Sequence, residues 1–238
     1  MGITTIVLDE FGSNKEEDWH MCENEVSVKK DVKELALDFL FCCYFGRSDN
    51  LIKGAIDRAY VDMASHTLKI DDVKVKWGYR YDASKMIEEL LEKYSNYSCF
   101  DVWHKELVLS IEEIYVDKLQ NGQAEKWINM TIKYLFVLKT LLGSKDKRLS
   151  GIKDFLTNTS ENDYKIPIDS YVLKGAGIKN VTWSKLDQED YSKIQDMMGE
   201  DKDFLWELTM WESFSKEYAQ DDKNSYARYY AEREEDKK

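Results

Sequence analysis

KWINMTIKYLFVLKTLLG, residues 126–143, is the stretch that decides the fold. Apolar side chains fill most of its positions, and Asn129, Lys133 and Lys139 are among the few polar interruptions. A helix that is apolar nearly all round is typical of the buried centre of a protein. It is too short and too often interrupted by lysine to cross a bilayer. Gly143 is a typical helix terminator. The sequence therefore predicts a mainly α-helical protein packed around this segment.

The composition agrees with a helical globular protein. The chain has 238 residues with 43% hydrophobic content, and it contains one proline and 11 glycines. Few glycines and prolines argue against a sandwich of many short strands. The four cysteines have no metal-ligand spacing among themselves or with the histidines, so we expect no metal site and reduced thiols. The first residues lack the basic start and apolar core of a signal peptide. We expect a cytoplasmic protein without a membrane segment.

Periodicity and capping residues predict the remaining elements. Helices are expected over 31–46, 49–66, 83–94, 101–118 and 203–219, a short strand over 3–9, and a small hairpin within 67–82. Residues 221–238 are dense in charge and are expected to be a solvated tail. At most a small β element is thus expected near the N-terminus of a mainly α chain.

Charge is distributed unevenly along the chain. The net charge is −12, which opposes binding to nucleic acid. Residues 126–186, however, contain eleven Lys and Arg against five Asp and Glu, a net charge of +6, so the remaining residues carry −18. A basic segment on an acidic body suits a nucleic-acid-binding face, although solvated helix faces can vary in charge by chance.

The second informative stretch is KIPIDSYVLKG, residues 165–175. Its proline, Pro167, is the only one in the chain, and it restricts the backbone just before Asp169. Asp169 can cap the turn that follows. Lys126 begins the apolar helix, where the positive helix end and burial would both favour a neutral amine. A neutral amine is a nucleophile, and a carboxylate can orient it or stabilise positive charge on a substrate.

Together, KWINMTIKY and IPIDSYV resemble the catalytic half of the helix-hairpin-helix DNA glycosylases. The similarity is greatest to the 8-oxoguanine DNA glycosylase/lyase group, especially its archaeal branch, and it covers about residues 100–185. The resemblance implies one domain of two lobes: residues 1–100 with helices from 187–220, and residues 101–186. It also implies that Lys126 is the amine nucleophile and Asp169 the essential aspartate. Lys133, about two turns further along the helix, is a second candidate amine.

The resemblance further implies DNA with a modified base as the partner, the base being extruded from the duplex. Candidates to contact that base are Gln123, Trp127, Asn129 and Trp183. Candidates to bind the nucleic acid are Asn121 and Gly122 at the hairpin and Lys165, Lys174 and Lys179. No cofactor is implied except a monovalent cation, which can bind such a hairpin. The chain has one hairpin glycine where many members of the family have two.

Two other functions stay open at this point. The acidic body and the lone hairpin glycine also suit a glycosylase-like fold that binds a free modified nucleoside, a nucleotide or a partner protein, in a bacterial defence or nucleic-acid modification system. A helical interaction module without catalysis is the third alternative. In that case Lys126 would extend from the helix end into solvent, Asp169 would only cap a helix, and the tryptophans would belong to the core.

Overall fold

The computed structural model describes residues 31–199 and 201–220, and within these ranges the chain is helical and contains no strand. The helices are α1 (Val32–Phe45), α2 (Leu51–Ala64), α3 (Val73–Glu92), α4 (Phe100–Tyr115), α5 (Asn121–Leu142), α6 (Lys153–Asn158), α7 (Ser170–Gly175), α8 (Gln188–Met198) and α9 (Phe204–Gln220). Short 3₁₀ turns lie at Tyr94–Asn96, Lys147–Ile152 and Trp183–Lys185. The mainly α class is confirmed. The strand over 3–9 and the tail over 221–238 lie outside the described residues.

Helix α5 is the central element, as its apolar composition predicts. Every residue from Asn121 to Leu135 is buried, and α5 packs against α2, α4, α8 and the 3₁₀ turn at Trp183–Lys185. The helix ends at Gly143, whose positive φ of 82° is easily adopted without a side chain. The burial includes Glu125, Lys126 and Lys133. Charged groups in such a position need partners or a polar cavity.

Side-chain caps fix where several helices begin. Asp31 accepts a hydrogen bond from the Glu34 amide at 2.7 Å and so caps α1. Asp187 caps α8 in the same way through the Asp190 amide at 2.8 Å.

The hairpin expected within 67–82 is wrong, because residues 73–82 form the first half of α3 and residues 67–72 form no strand. Asp72 caps α3 through the amides of Lys74 and Val75, at 2.9 and 3.1 Å. The alternating Val73, Val75 and Trp77 that suggested a strand are exposed, whereas the buried side chains of α3 follow a helical period. Alternation on a solvent-facing surface carries no information about burial, so it misled the prediction.

The start of α5 also differs from the expectation. Asn121 and Gly122, which the sequence places at a hairpin before the helix, instead form the first turn of α5. The Gln120 amide donates to the Gln123 side chain at 2.9 Å, which closes the helix start. Lys126 consequently lies in the second turn rather than at the helix end.

Among the residues that the structure describes, the buried hydrophobic side chains form two clusters. The larger one contains core residues from α1 to α6 together with Tyr164 and Phe204. The smaller one joins Ile166 and Ile168 to residues of α7 and α8. The proposed two-lobe division stays a prediction. Among the described residues, no helix is long and apolar enough to cross a membrane.

Candidate functional site

A cavity of about 770 Å³ lies beside α5 and is bounded by segments that are distant in sequence. Its lining includes Lys126, Lys133, Tyr134, Asp169, Trp183 and Trp211, and we name it the Lys126 cavity. The volume lies within the range of sites for small organic ligands, about 300–1,000 Å³.

Lys126 and Asp169 meet at the wall of this cavity. Lys126 Nζ lies 3.4 Å from Asp169 Oδ2, and the two side chains are 8% and 9% exposed. The other carboxylate oxygen of Asp169 accepts from the amides of Tyr171 and Val172, at 2.9 and 3.0 Å, and so caps α7. One oxygen therefore fixes the aspartate to the backbone while the other faces the amine.

Burial lowers the pKa of Lys126 below its ordinary value, and the nearby Asp169 carboxylate partly opposes this effect by raising it. The helix-end contribution expected from the sequence is small at this position, because the macrodipole acts mainly within the first turn. Desolvation is thus the cause that favours a neutral amine here.

Trp183 covers the amine from the other side. Lys126 Nζ lies 4.3 Å from the centre of the Trp183 ring, within cation–π range. The 3₁₀ turn that carries Trp183 packs closely on Gly122, whose amide donates to the Leu186 carbonyl at 2.9 Å. A Cβ at position 122 would lie 2.1 Å from the Trp183 carbonyl oxygen, so only glycine fits. Gly122 brings this turn onto α5, and its amide is already bonded within the chain.

A second buried charge pair lies about two turns further along α5. Lys133 Nζ is 2.8 Å from Glu207 Oε1, and it lies 5.0 Å from the centre of the Trp211 ring. Trp211 Nε1 donates to the same Glu207 oxygen at 2.8 Å. Glu207 therefore holds both the lysine and the tryptophan in fixed orientations. The sequence named Lys133 as a second candidate amine and did not point to Glu207, although Glu207 and Trp211 have the i, i+4 spacing of helical neighbours.

A polar network forms a further part of the wall. Arg58 pairs with Asp62 at 2.7 Å, Asp62 accepts from the Tyr134 hydroxyl, and the Tyr44 hydroxyl donates to that of Tyr134 at 3.1 Å. All four side chains line the Lys126 cavity. Sequence reasoning did not select them, because charged and aromatic residues of α1 and α2 carry no local signal of a shared cavity.

The other expected base contacts lie elsewhere. Trp127 is fully buried and donates to the Ile56 carbonyl at 3.0 Å, which makes it a core residue. Asn129 is also fully buried and faces away from the Lys126 cavity toward His104 and Tyr191. Gln123 donates to Thr67 Oγ1 at 3.1 Å, and Thr67 itself lines the cavity. Of the four candidates, only Trp183 lies beside Lys126.

The expected nucleic-acid contacts are also spread apart. Asn121 is buried within the first turn of α5. Lys165 lies 3.6 Å from Asp101 and lines a separate cavity of about 170 Å³. Lys174 and Lys179 are exposed on α7 and just after it.

Asn129 belongs to a buried polar cluster on another face of α5. His104 Nε2 lies 2.8 Å from Asn129 Oδ1, and the Asn129 amide nitrogen donates to Glu125 Oε2 at 3.2 Å and to the Tyr191 hydroxyl at 3.1 Å. Burial raises the pKa of Glu125 to about 7. Burial also lowers the pKa of His104 to about 3, helped by the charge of Lys165. Both groups thus favour their neutral forms.

Comparison with models of known protein families, with curated proteins and with solved structures finds no match. Within residues 31–199 and 201–220, no group of three or more His, Cys, Asp or Glu side chains is placed to hold a metal ion.

Proposed function

We propose that this chain is a DNA glycosylase with lyase activity that excises an oxidised or otherwise modified base. The observation that carries the proposal is the Lys126–Asp169 pair, with Nζ and Oδ2 3.4 Å apart at the wall of a 770 Å³ cavity. A nucleophile and a carboxylate within reach of one substrate atom are what such a reaction needs. The resemblance of the two sequence stretches to glycosylases supports the same assignment.

In this reaction the neutral amine of Lys126 attacks C1′ of the target nucleotide. The new N–C1′ bond forms as the bond to the base breaks, and the base leaves with the bonding electron pair and takes up a proton. Asp169 stabilises the positive charge that develops on the sugar and accepts the proton released by the amine. Opening of the sugar ring gives a Schiff base, and loss of a C2′ proton then expels the 3′ phosphate.

Binding of an extruded base is supported by the group formed by Lys133, Glu207 and Trp211. A tryptophan ring offers a stacking surface, and stacking of a base on an aromatic side chain contributes about 1–3 kcal/mol. Lys133 supplies N–H donors for carbonyl or ring nitrogen acceptors. Since Glu207 fixes both residues, they meet the ligand in one arrangement.

The experiment is borohydride trapping with duplex oligonucleotides that contain 8-oxoguanine or another modified base. Wild-type protein and Lys85→Gln, which changes an exposed lysine of α3 outside the cavity, should both form the covalent adduct. Lys126→Gln should form none, and Lys133→Gln should still trap but bind the modified base more weakly. Equal trapping by Lys126→Gln would show that Lys126 is not the nucleophile.

One observation favours a second function, binding of a free modified nucleoside without DNA. The Gly122 amide is bonded to Leu186, so it is not free to hold a DNA phosphate. Under this alternative, nucleoside binding would persist while duplex binding stayed weak at low salt. The third alternative, an interaction module, would be favoured if the lysine and aspartate lay more than about 10 Å apart, and they do not.

A further inference from the structure

The segment before Asp169 has no regular secondary structure and is nevertheless buried. Ile166, Pro167 and Ile168 are all buried just before the start of α7, and the two isoleucines belong to the smaller hydrophobic cluster. Pro167 has no amide hydrogen, so this stretch cannot form a continuous backbone ladder. The buried Ile166 carbonyl and Ile168 amide therefore need partners from elsewhere in the fold.

Tyr191 of α8 supplies these partners with a single hydroxyl group. It donates to the Ile166 carbonyl at 3.0 Å and accepts from the Ile168 amide at 3.4 Å. It also accepts from the Asn129 amide nitrogen at 3.1 Å. One donated and two accepted bonds use the full capacity of a hydroxyl. Gln195 adds a second donor to the Ile166 carbonyl at 2.7 Å.

Asn129 connects this arrangement to the lysine. It lies three residues after Lys126 on α5, and its side chain is fully buried. The helix that carries the amine is thus joined through Asn129 and Tyr191 to the backbone immediately before the carboxylate. The backbone before Asp169 is thus held through Tyr191, and the backbone after it is held by the hydrogen bonds that cap α7.

We propose that Tyr191 is a positioning residue that holds the Ile166–Ile168 backbone so that the Asp169 carboxylate faces Lys126. The expected effect of Tyr191 on the excision rate rests on the proposed function. The expected effect of Tyr191 on the orientation of Asp169 does not depend on that function. Removing the hydroxyl leaves the Ile168 amide and one Asn129 hydrogen without a partner, and the segment must shift to reach new ones.

The test compares Tyr191→Phe with Tyr164→Phe. Tyr164 is also buried, and its hydroxyl bonds to Thr159 in the larger hydrophobic cluster, away from Asp169. Displacement of a reacting group by about 1 Å can cost roughly 100-fold in rate. We therefore expect Tyr191→Phe to lower the single-turnover rate of base excision by about 10- to 100-fold, with DNA affinity within about twofold. Tyr164→Phe should leave the rate unchanged at a similar loss of stability.

A second measurement does not depend on activity. NMR of labelled lysine side chains, with the Lys126 signal identified by its loss in Lys126→Gln, reports the pKa of Lys126. Because the Asp169 charge raises that pKa, Tyr191→Phe should lower it, and Gln195→Met should do so by less. If wild type excises no base but Tyr191→Phe still lowers this pKa, the proposed function fails and the positioning role stands. If Tyr164→Phe lowers the pKa equally, or Tyr191→Phe leaves it unchanged, the positioning role is wrong.

Discussion

Replacement of Glu125 by glutamine tests the buried cluster on α5 quantitatively. Glu125 Oε2 accepts from Asn129 and lies 3.5 Å from His104 Nε2. Glutamine keeps the shape and the acceptor oxygen but cannot ionise. Its effect on the free energy of unfolding should therefore depend on pH, whereas a pure packing effect would not.

The magnitude follows from the pKa of Glu125. Burial raises this pKa from the ordinary 4.5 to about 7. A group whose pKa is higher in the folded protein contributes stability that is complete below the unfolded value and is lost as the pH rises through the folded value. The pH window in which this stability is lost therefore runs from 4.5 to about 7. Each tenfold change in proton affinity corresponds to about 1.4 kcal/mol, so the wild type should lose about 3 kcal/mol relative to Glu125→Gln across this window.

Urea unfolding of both proteins at intervals from pH 4 to pH 9 measures this difference. His104 is present in both, so its own contribution, which is lost as the pH falls toward its lowered pKa of about 3, largely cancels. Glu113→Gln, an exposed carboxyl on α4, is the control and should track the wild type. A constant difference between wild type and Glu125→Gln over the whole range would refute the reasoning.

Three further predictions concern the Lys126 cavity and its surroundings. Gly122→Ala should lower the free energy of unfolding by about 1–3 kcal/mol, because its Cβ would lie 2.1 Å from a neighbouring carbonyl oxygen; urea denaturation measures this. Glu207→Gln should cost about 3–5 kcal/mol by leaving the buried Lys133 charge without its partner, and the double variant Lys133→Met/Glu207→Leu should recover most of the loss. The alkaline rise in the trapping rate should have its midpoint below 10.5, because burial lowers the pKa of Lys126. Asp169→Asn should lower the pKa of Lys126 further, since it removes the charge that raises this pKa, and NMR of the lysine side chain measures it without trapping. A pKa of Lys126 that rises in Asp169→Asn would contradict this.

The sequence alone determined the helical class and the identity of the central helix. A mostly apolar run of this length, ending at Gly143, favours a helix over a strand and favours burial of its side chains, and both preferences are local. The wrong prediction at residues 67–82 also came from a local pattern. The alternating residues there are exposed, and the helix cap at Asp72 was not recognised.

Only the tertiary structure decided which charged groups share a site. Lys126 and Asp169 are 43 residues apart in the sequence, and a resemblance, rather than any periodic pattern, suggested that they meet. No pattern pointed to Glu207 as the partner of Lys133, or to Tyr191 as the partner of the Ile166 carbonyl. Periodicity reports which face of a helix is buried. The neighbours of a buried polar group depend on how distant helices pack, and that information is not local in the chain.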